Sequence, residues 1–322
     1  MAGITESRTW DSLLTTTLAN YRKKIVDNIF DTYPLLSYLN GKLGNIVRGE
    51  SVKRLVDGGE SIVEHVLYES NTTVKSYAGY ETLDTTPAEG HTIARYDWKQ
   101  YSGVVAISGL EKRNNNGESA MINLLQAKIF QLEQSMRDKL SRDAWSDGTG
   151  NGSKELGGMQ TICSATTTLG GLAPATYAWW VADTNALGGA LTLAAMSSRF
   201  NTVTRGNDKP DIVFTTQARY ESYEALLQTN ERFSNTSIGD GGFTNLLYKS
   251  VPVMFDRDCP TNNMYFLNSK WLSFVVHRQA DMAMSPMQDR FDQDAFSSKM
   301  ILQAEITTNN RRNLSVLTGI TS

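Results

Sequence analysis

The sequence predicts an α+β chain, and three observations carry that prediction. Met121, Leu125, Ile129, Leu132, Met136 and Leu140 recur at spacings of three and four, which predicts one long helix over 117–146. Two extended runs flank the polar stretch SNTTVKSYAGYETLDTTPAEGH, which predicts a long hairpin over 60–107 with a broad tip. After a Gly-rich break at 147–158, short apolar runs alternate with helical patterns, which predicts a mixed α/β region.

The elements follow in order. Leu14, Leu18, Tyr21, Ile25 and Ile29 lie on one helical face, so 9 to about 30 reads as an amphipathic helix ending at Tyr33-Pro34. A terminal helix this short needs a surface to pack on. Val52, Arg54 and Val56 alternate with their neighbours, Gly58-Gly59 interrupts, and the extended pattern resumes from Ile62 to Tyr68. It returns over 92–108 with Tyr96, Trp98, Val105 and Ile107. A two-stranded hairpin is marginal in water, and no local third strand is offered. The economical expectation is that the hairpin lies across another subunit. Asn115 with Glu118 resembles a capping box for the long helix, which spans roughly 40 Å at 1.5 Å per residue and ends at SDGTGNG. Helices are expected over Leu191–Thr204 and Thr216–Gln228. Strands are expected over Asp211–Phe214, Leu246–Asp256, Met264–Leu267, Trp271–Arg278, Met300–Thr307 and Leu314–Leu317. The break at 147–158 is the expected domain boundary.

Composition narrows the function classes. A chain of 322 residues suggests about two domains. With 40% hydrophobic and 20% charged residues it is rich enough in apolar groups to fold and somewhat poor in charge, which suits a surface that meets other proteins. A net charge of -3 argues against a dedicated nucleic-acid binder. Cys163 and Cys259 alone exclude a disulfide scaffold and a cysteine-built metal cluster, and fit a reducing compartment. MAGITESRTW shows no charged-then-apolar signal pattern, so secretion by a standard signal is not expected. The most apolar stretch, LAPATYAWWVADTNALGGAL, is broken by Asp183, Asn185 and several Gly, so no membrane span is expected.

The chemistry is equally spare. GxSxG, HExxH, GxxxxGK[ST] and CxxC are all absent, so the chain is read as no enzyme, with no cofactor and no metal. His65 and His91 approach each other only if the hairpin pairs them, and they read as ordinary strand histidines. Asp147-x-Thr149-x-Asn151-Gly152 begins like a calcium loop but carries Gly158 where a bidentate Glu is needed, so a helix-terminal turn is the better reading. Asp281, Asp289, Asp292 and Asp294 surround Arg290 and read as a solvated loop. Arg22-Lys23-Lys24 and Arg311-Arg312 read as solvated charges. Lys75, Tyr77 and Tyr80 on the polar tip, Trp98 on the return strand, and Tyr21 and Arg22 on the arm are the candidate inter-subunit contacts, since Tyr and Trp anchor interfaces.

This order of elements, an arm, a long hairpin, one long helix, a Gly-rich break and a mixed region with a late strand-rich return, resembles the major capsid proteins of tailed bacteriophages, with the Hong Kong ninety-seven-type fold. DIVFTTQARYESYEALL (211–227) is similar to that family's strand-to-helix unit in the axial domain. VPVMFDRDCP (251–260) and MYFLNSKWLSFVV (264–276) are similar to its late axial strands, and ITTNNRRNLSVLTGI (306–320) to its final return.

The resemblance implies an N-arm at 1–58, an E-loop at 59–108, a peripheral domain with the spine helix at 109–155, an axial domain at 156–280 and a return at 281–322. It implies a virion protein that assembles with itself, as pentamers and hexamers, into an icosahedral shell in the host cytoplasm. The shell would enclose double-stranded DNA held by weak non-specific contact. Scaffolding, portal and decoration proteins are expected partners, with any scaffold a separate protein because the arm begins almost at once; no membrane is expected. Some members crosslink a Lys to an Asn; Lys75 with Asn262 or Asn309 matches no such motif. Gly58-Gly59 and Gly103 are candidate hinges for hairpin tilt. The alternative is an encapsulin-like nanocompartment shell, similar in fold but holding protein cargo.

Overall fold

The computed structural model describes residues 33–41, 52–87, 89–114, 118–228 and 246–321. The arm helix expected over 9–30, with Tyr21, Arg22 and the neighbouring lysines, lies outside the described residues, as does Asn115 of the helix cap.

In chain order, helix α1 is Pro34–Leu39, followed by strands β1 Lys53–Val56, β2 Ser61–Leu67, β3 His91–Asp97 and β4 Lys99–Ser108. Helices α2 Gly109–Asn114, α3 Glu118–Trp145 and α4 Met159–Ile162 come next, then β5 Asp183–Ala190, α5 Leu193–Val203, β6 Ile212–Thr215 and α6 Gln217–Gln228. The remainder is β7 Leu246–Tyr248, β8 Val251–Phe255, β9 Met264–Leu267, β10 Leu272–His277, β11 Ala283–Met284, β12 Gln288–Arg290, β13 Gln293–Thr308 and β14 Ser315–Thr321.

The chain divides into two units. Of the described residues, the first holds those in Tyr101–Lys139 and Ala280–Leu302, and the second those in Tyr33–Gln100, Leu140–Gln279 and Gln303–Ser322. The division falls inside β4, α3 and β13, not at the Gly-rich stretch 147–158. That stretch belongs wholly to the second unit because it folds tightly back on the end of α3. A Cβ on Gly158 would sit 2.3–2.8 Å from the carbonyl oxygens of Ser146, Asp143 and Ala144.

The first unit joins α3 to the outer part of β13. Strands β11 and β12 pair antiparallel with β13 (Met284↔Met300, Asp289↔Phe296), and β4 also pairs with β13. Gly103 lies within β4, and a Cβ there would come 2.3 Å from Cδ1 of Leu132 on α3. It is a close-packing glycine. Glu111 of α2 accepts from Lys128 at 3.1 Å, and Asp294 pairs with Arg113 at 2.6 Å.

The second unit is built on a six-stranded sheet in the order β5-β14-β9-β6-β8-β7. The central strand β6 (IVFT) is buried at all four positions, as a strand covered on both faces must be. Val213 and Phe266 face α5 and α6, where Met196, Phe200 and Tyr223 complete one core. Phe214 and Tyr265 face the other way, onto Trp145 at ring distances of 5.8 and 5.1 Å, with Tyr38 of α1 5.8 Å from Phe214. Pro34 occupies the first turn of α1, where its missing N–H costs nothing, and Leu35 and Leu39 are wholly buried. Asp211 pins α1 by accepting from the Tyr38 hydroxyl at 2.8 Å and from the Ser269 amide and hydroxyl.

Two expectations change here. The hairpin is shorter than 60–107. β2 pairs with β3 from Ser61↔Asp97 to Leu67↔His91, and the chain over 99–108 leaves it to pair with β13. The backbone polar groups of β4 thus find a ladder elsewhere. Strand β5 (DTNALGGA) was not expected, because it lacks the β-branched and aromatic residues that mark strands. It forms as a sheet edge against β14, whose register shifts between Thr318 and Ile320 where Gly319 takes φ +65.

Candidate functional site

The excursion over residues 68–90, between β2 and β3, carries three of the six candidate contact residues, Lys75, Tyr77 and Tyr80. Its base is closed by Tyr68 and Gly90: the Tyr68 amide donates to the Gly90 carbonyl at 2.9 Å, and the Tyr68 hydroxyl donates to the Glu89 carbonyl at 3.1 Å. Beyond that base it forms neither strand nor helix among its described residues. Short Asx turns, Asn71 with Thr73 and Asp84 with Thr86, satisfy part of its backbone. The Thr86 hydroxyl and amide hold the Asp84 carboxyl below the usual carboxylate range, so it is charged at neutral pH.

This segment exposes large apolar groups that a soluble chain usually hides. Tyr80 is fully exposed, Tyr77 is 62% exposed and Val74 82%, with Leu83 and the ammonium of Lys75 also in solvent. Lys75, Tyr77 and Tyr80 therefore share one segment. Trp98 does not join them. It lies past the far end of β3, half-buried, donating from Nε1 to the Gly59 carbonyl at 2.9 Å with its ring edge-on to His277. Tyr21 and Arg22 lie outside the described residues.

The root of the hairpin is held firmly. Tyr96 donates its hydroxyl to the Thr308 carbonyl at 2.7 Å and accepts from the Thr308 amide at 3.3 Å. Burial pushes the Tyr96 phenol well above its usual range, so it stays a neutral donor. Glu64 accepts from Arg54 at 2.6 Å and from the Thr307 hydroxyl at 3.1 Å. The Arg95 amide donates to the Gly170 carbonyl at 2.9 Å. Gly170 takes φ +61, and a Cβ there would come 2.7 Å from that of the fully buried Ala94. On the outer side the ring of Tyr68 stacks on Trp179 at 4.9 Å and 7°.

Below the root, Arg311 corrects the reading of Arg311-Arg312 as a solvated pair. Arg311 is 0% exposed. Its Nε donates to the Ile162 carbonyl, Nη1 to those of Thr167 and Trp180, and Nη2 to those of Thr161 and Ser164, at 2.5–3.1 Å. All five guanidinium protons are thereby used, and among the described residues no carboxylate pairs with it. It staples the loop 161–180 to the turn after β13. Arg312 is exposed.

Other candidate groups fall into local structure. His65 and His91 are exposed and lie diagonally on β2 and β3, with His65 opposite Ile93 and His91 opposite Leu67. Asp147 accepts from the amide and hydroxyl of Thr149, a helix-end Asx turn. Among the described residues no group of three or more His, Cys, Asp or Glu is placed to hold a metal ion. No described helix is long and apolar enough to cross a membrane.

Sequence reasoning missed a cleft of about 380 Å³ beside the root. Tyr68, Trp179, Arg205, Trp271, Asn309 and Arg312 are among its walls. These residues come from five separate stretches of chain. Trp179 stood inside the most apolar run of the sequence, which was weighed only as a membrane span.

No curated protein sequence matches the chain. Its fold is similar to solved shell proteins. The capsid asymmetric unit of cyanophage A-1(L) superposes with a TM-score of 0.67 at 16% identity, covering 96% of this chain and 99% of that one. The capsid of the myovirid phage XM1 gives 0.55 at 14% identity, covering 93% and 96%. The holo-SrpI encapsulin complex of Synechococcus elongatus gives 0.56 at 11% identity, covering 91% and 92%. Phage and encapsulin shells thus share this α+β, Hong Kong ninety-seven-type fold, and the fold alone does not separate them. Sequence does: residues 101–321 match the model of one capsid family. The chain belongs to the SU10 major capsid protein family.

Proposed function

We propose that copies of this chain assemble as pentamers and hexamers into a closed icosahedral shell around double-stranded DNA. The excursion over 68–90 of each copy lies on a neighbour. The observation that carries this is the exposure of Tyr77 and Tyr80 on a segment with a fixed root and no host surface of its own. Ordering such a segment costs about 1–2 kcal/mol per residue, and a partner surface offsets that cost where the chain's own core does not. Many identical contacts under closed symmetry then sum to a stable particle.

In this reading residues 1–58 act as the arm, 59–108 as the E-loop region, 109–155 as the peripheral part with the spine helix, 156–280 as the axial part and 281–322 as the return. A net charge of -3 suits containment of DNA by weak, non-specific contact. Scaffolding, portal and decoration proteins are the further partners, and the chain catalyses no reaction and takes no cofactor.

The test is negative-stain electron microscopy of the expressed protein with size-exclusion chromatography, alone and with the scaffolding protein of its source. Closed shells, or pentamers and hexamers, are expected. A variant with residues 70–87 replaced by a short Gly-Ser turn should fold yet form no shells. Shells from that variant would sink the role given to the excursion, and shells filled with one host protein would favour a nanocompartment.

A further inference from the structure

We propose that the cleft beside the hairpin root is the landing site for the acidic, tyrosine-bearing excursion of a second copy. This rests on the shell reading above and names the surface on which the neighbour's segment ends.

The cleft is basic and unpaired. Arg205, Arg312 and His65 lie on its rim, and among the described residues neither arginine side chain has an ion-pair partner. Its walls are the aromatic rings of Tyr68, Trp179 and Trp271. Among the described residues Trp271 Nε1 has no acceptor and Asn309 Oδ1 and Asn313 Oδ1 have no donor, and all three atoms are closed to solvent. Asn313 is only 2% exposed. A segment that carries carboxylates and aromatic rings together answers both the arginines and the aromatic walls.

The excursion has the complementary chemistry. Residues 69–90 carry Glu69, Glu81, Asp84 and Glu89 against the single cation Lys75. Tyr77, Tyr80 and Leu83 are exposed there and suit an aromatic-lined cleft. Half of this segment, extended, spans roughly 35 Å, enough to leave its own subunit. Phe291, the other fully exposed ring among the described residues, lies between Arg290 and Asp292, with Asp289 near and Asp294 already paired to Arg113, so it offers an acidic segment no unpaired cluster of cations.

The test uses the full chain assembled into shells from a mixture of ¹⁴N- and ¹⁵N-labelled copies, with a benzophenone amino acid replacing Tyr80. Mixed-isotope crosslinks are expected to join the excursion to peptides containing Trp179, Arg205, Trp271 or 309–313. Crosslinks between copies at any other surface would overturn the assignment while leaving the shell reading intact. Independently, the pair Arg205→Glu and Arg312→Glu should lower shell yield at least tenfold at physiological salt. Adding Glu81→Lys and Asp84→Lys should restore it. Circular dichroism checks folding, which exposed arginines should not disturb. Full assembly of the reversed pair, or loss of packaged DNA with shells unchanged, would overturn the docking. A wild-type chain forming no shells and no crosslinks between copies removes both readings together.

Discussion

The hydroxyl of Tyr96 donates to the carbonyl of Thr308 at 2.7 Å, joining residues 212 positions apart. It ties the second strand of the hairpin to the end of β13, where the Thr308 amide returns the bond to the same oxygen. Tyr96→Phe removes this buried bridge and leaves the Thr308 carbonyl unmet. We expect a loss of about 1–2 kcal/mol. Limited proteolysis should then show faster cleavage near the hairpin root at unchanged secondary structure. Identical digestion kinetics would mean that Ala94 and Tyr68 hold the root without Tyr96.

Arg311→Lys should be severe despite keeping the charge. Lysine has three rotatable donors where the guanidinium presents five in a fixed plane. At least two of the five carbonyls lose their donor, and the ammonium stays buried. The expected cost is about 3–5 kcal/mol, measured as a drop in the urea midpoint. A shift under 1 kcal/mol would show that water enters the 161–180 loop and replaces the lost bonds.

Glu305 should make stability fall as pH rises from about 4.5 to about 7. It is 3% exposed, and burial pushes its carboxyl from the ordinary 4.5 up to about 7, against the opposing amides of Gly157 and Ile306 and the charge of Lys99. The folded chain keeps this proton between those values while the unfolded chain releases it. The stabilisation is therefore full below about 4.5 and lost as pH passes about 7, by roughly 3 kcal/mol. Glu305→Gln should flatten that slope in thermal melts across this window. Burial also raises the Asp211 and Asp256 carboxyls, so a shallower slope of the same sign should persist.

Ser250→Gly should stabilise. Lys249 and Ser250 form the two-residue turn between β7 and β8 with φ of +49 and +65, the geometry that favours Asn-Gly. Lys249 stays because its ammonium reaches Asn201 at 2.8 Å and lies over the Phe200 ring. Relieving the strain at Ser250 alone should gain about 0.5–1 kcal/mol, read as a higher melting temperature. No gain would mean that unfolded-state entropy of the new glycine cancels the relief.

Much of the fold was legible because its signals are local. The stripe from Leu125 to Leu140 marks α3, and Met264–Leu267 forms the strand its apolar run predicts. The exposure of Tyr77 and Tyr80 was legible because aromatics on a polar stretch have no local core. What stayed hidden depends on distant partners. β5 exists only because β14 offers a ladder, and nothing in DTNALGGA announces it. Trp98 looked like Tyr77 in composition, but its indole found Gly59. Arg311 and Arg312 are neighbours of one type, yet the five carbonyls that bury the first come from a loop about 140 residues earlier. No local pattern distinguishes the two arginines.

The place of β14 has a consequence for biosynthesis. Strand β14 is made after every other described strand of its sheet, yet it lies inside that sheet, between β5 and β9. The ribosome therefore delivers an interior strand after both of its neighbours, and until Ser315–Thr321 emerges the sheet stands with a gap and two unpaired edges. A chain terminated before that point carries an open, sticky sheet and becomes a substrate for chaperones and proteases, so synthesis of β14 acts as an entry check on assembly.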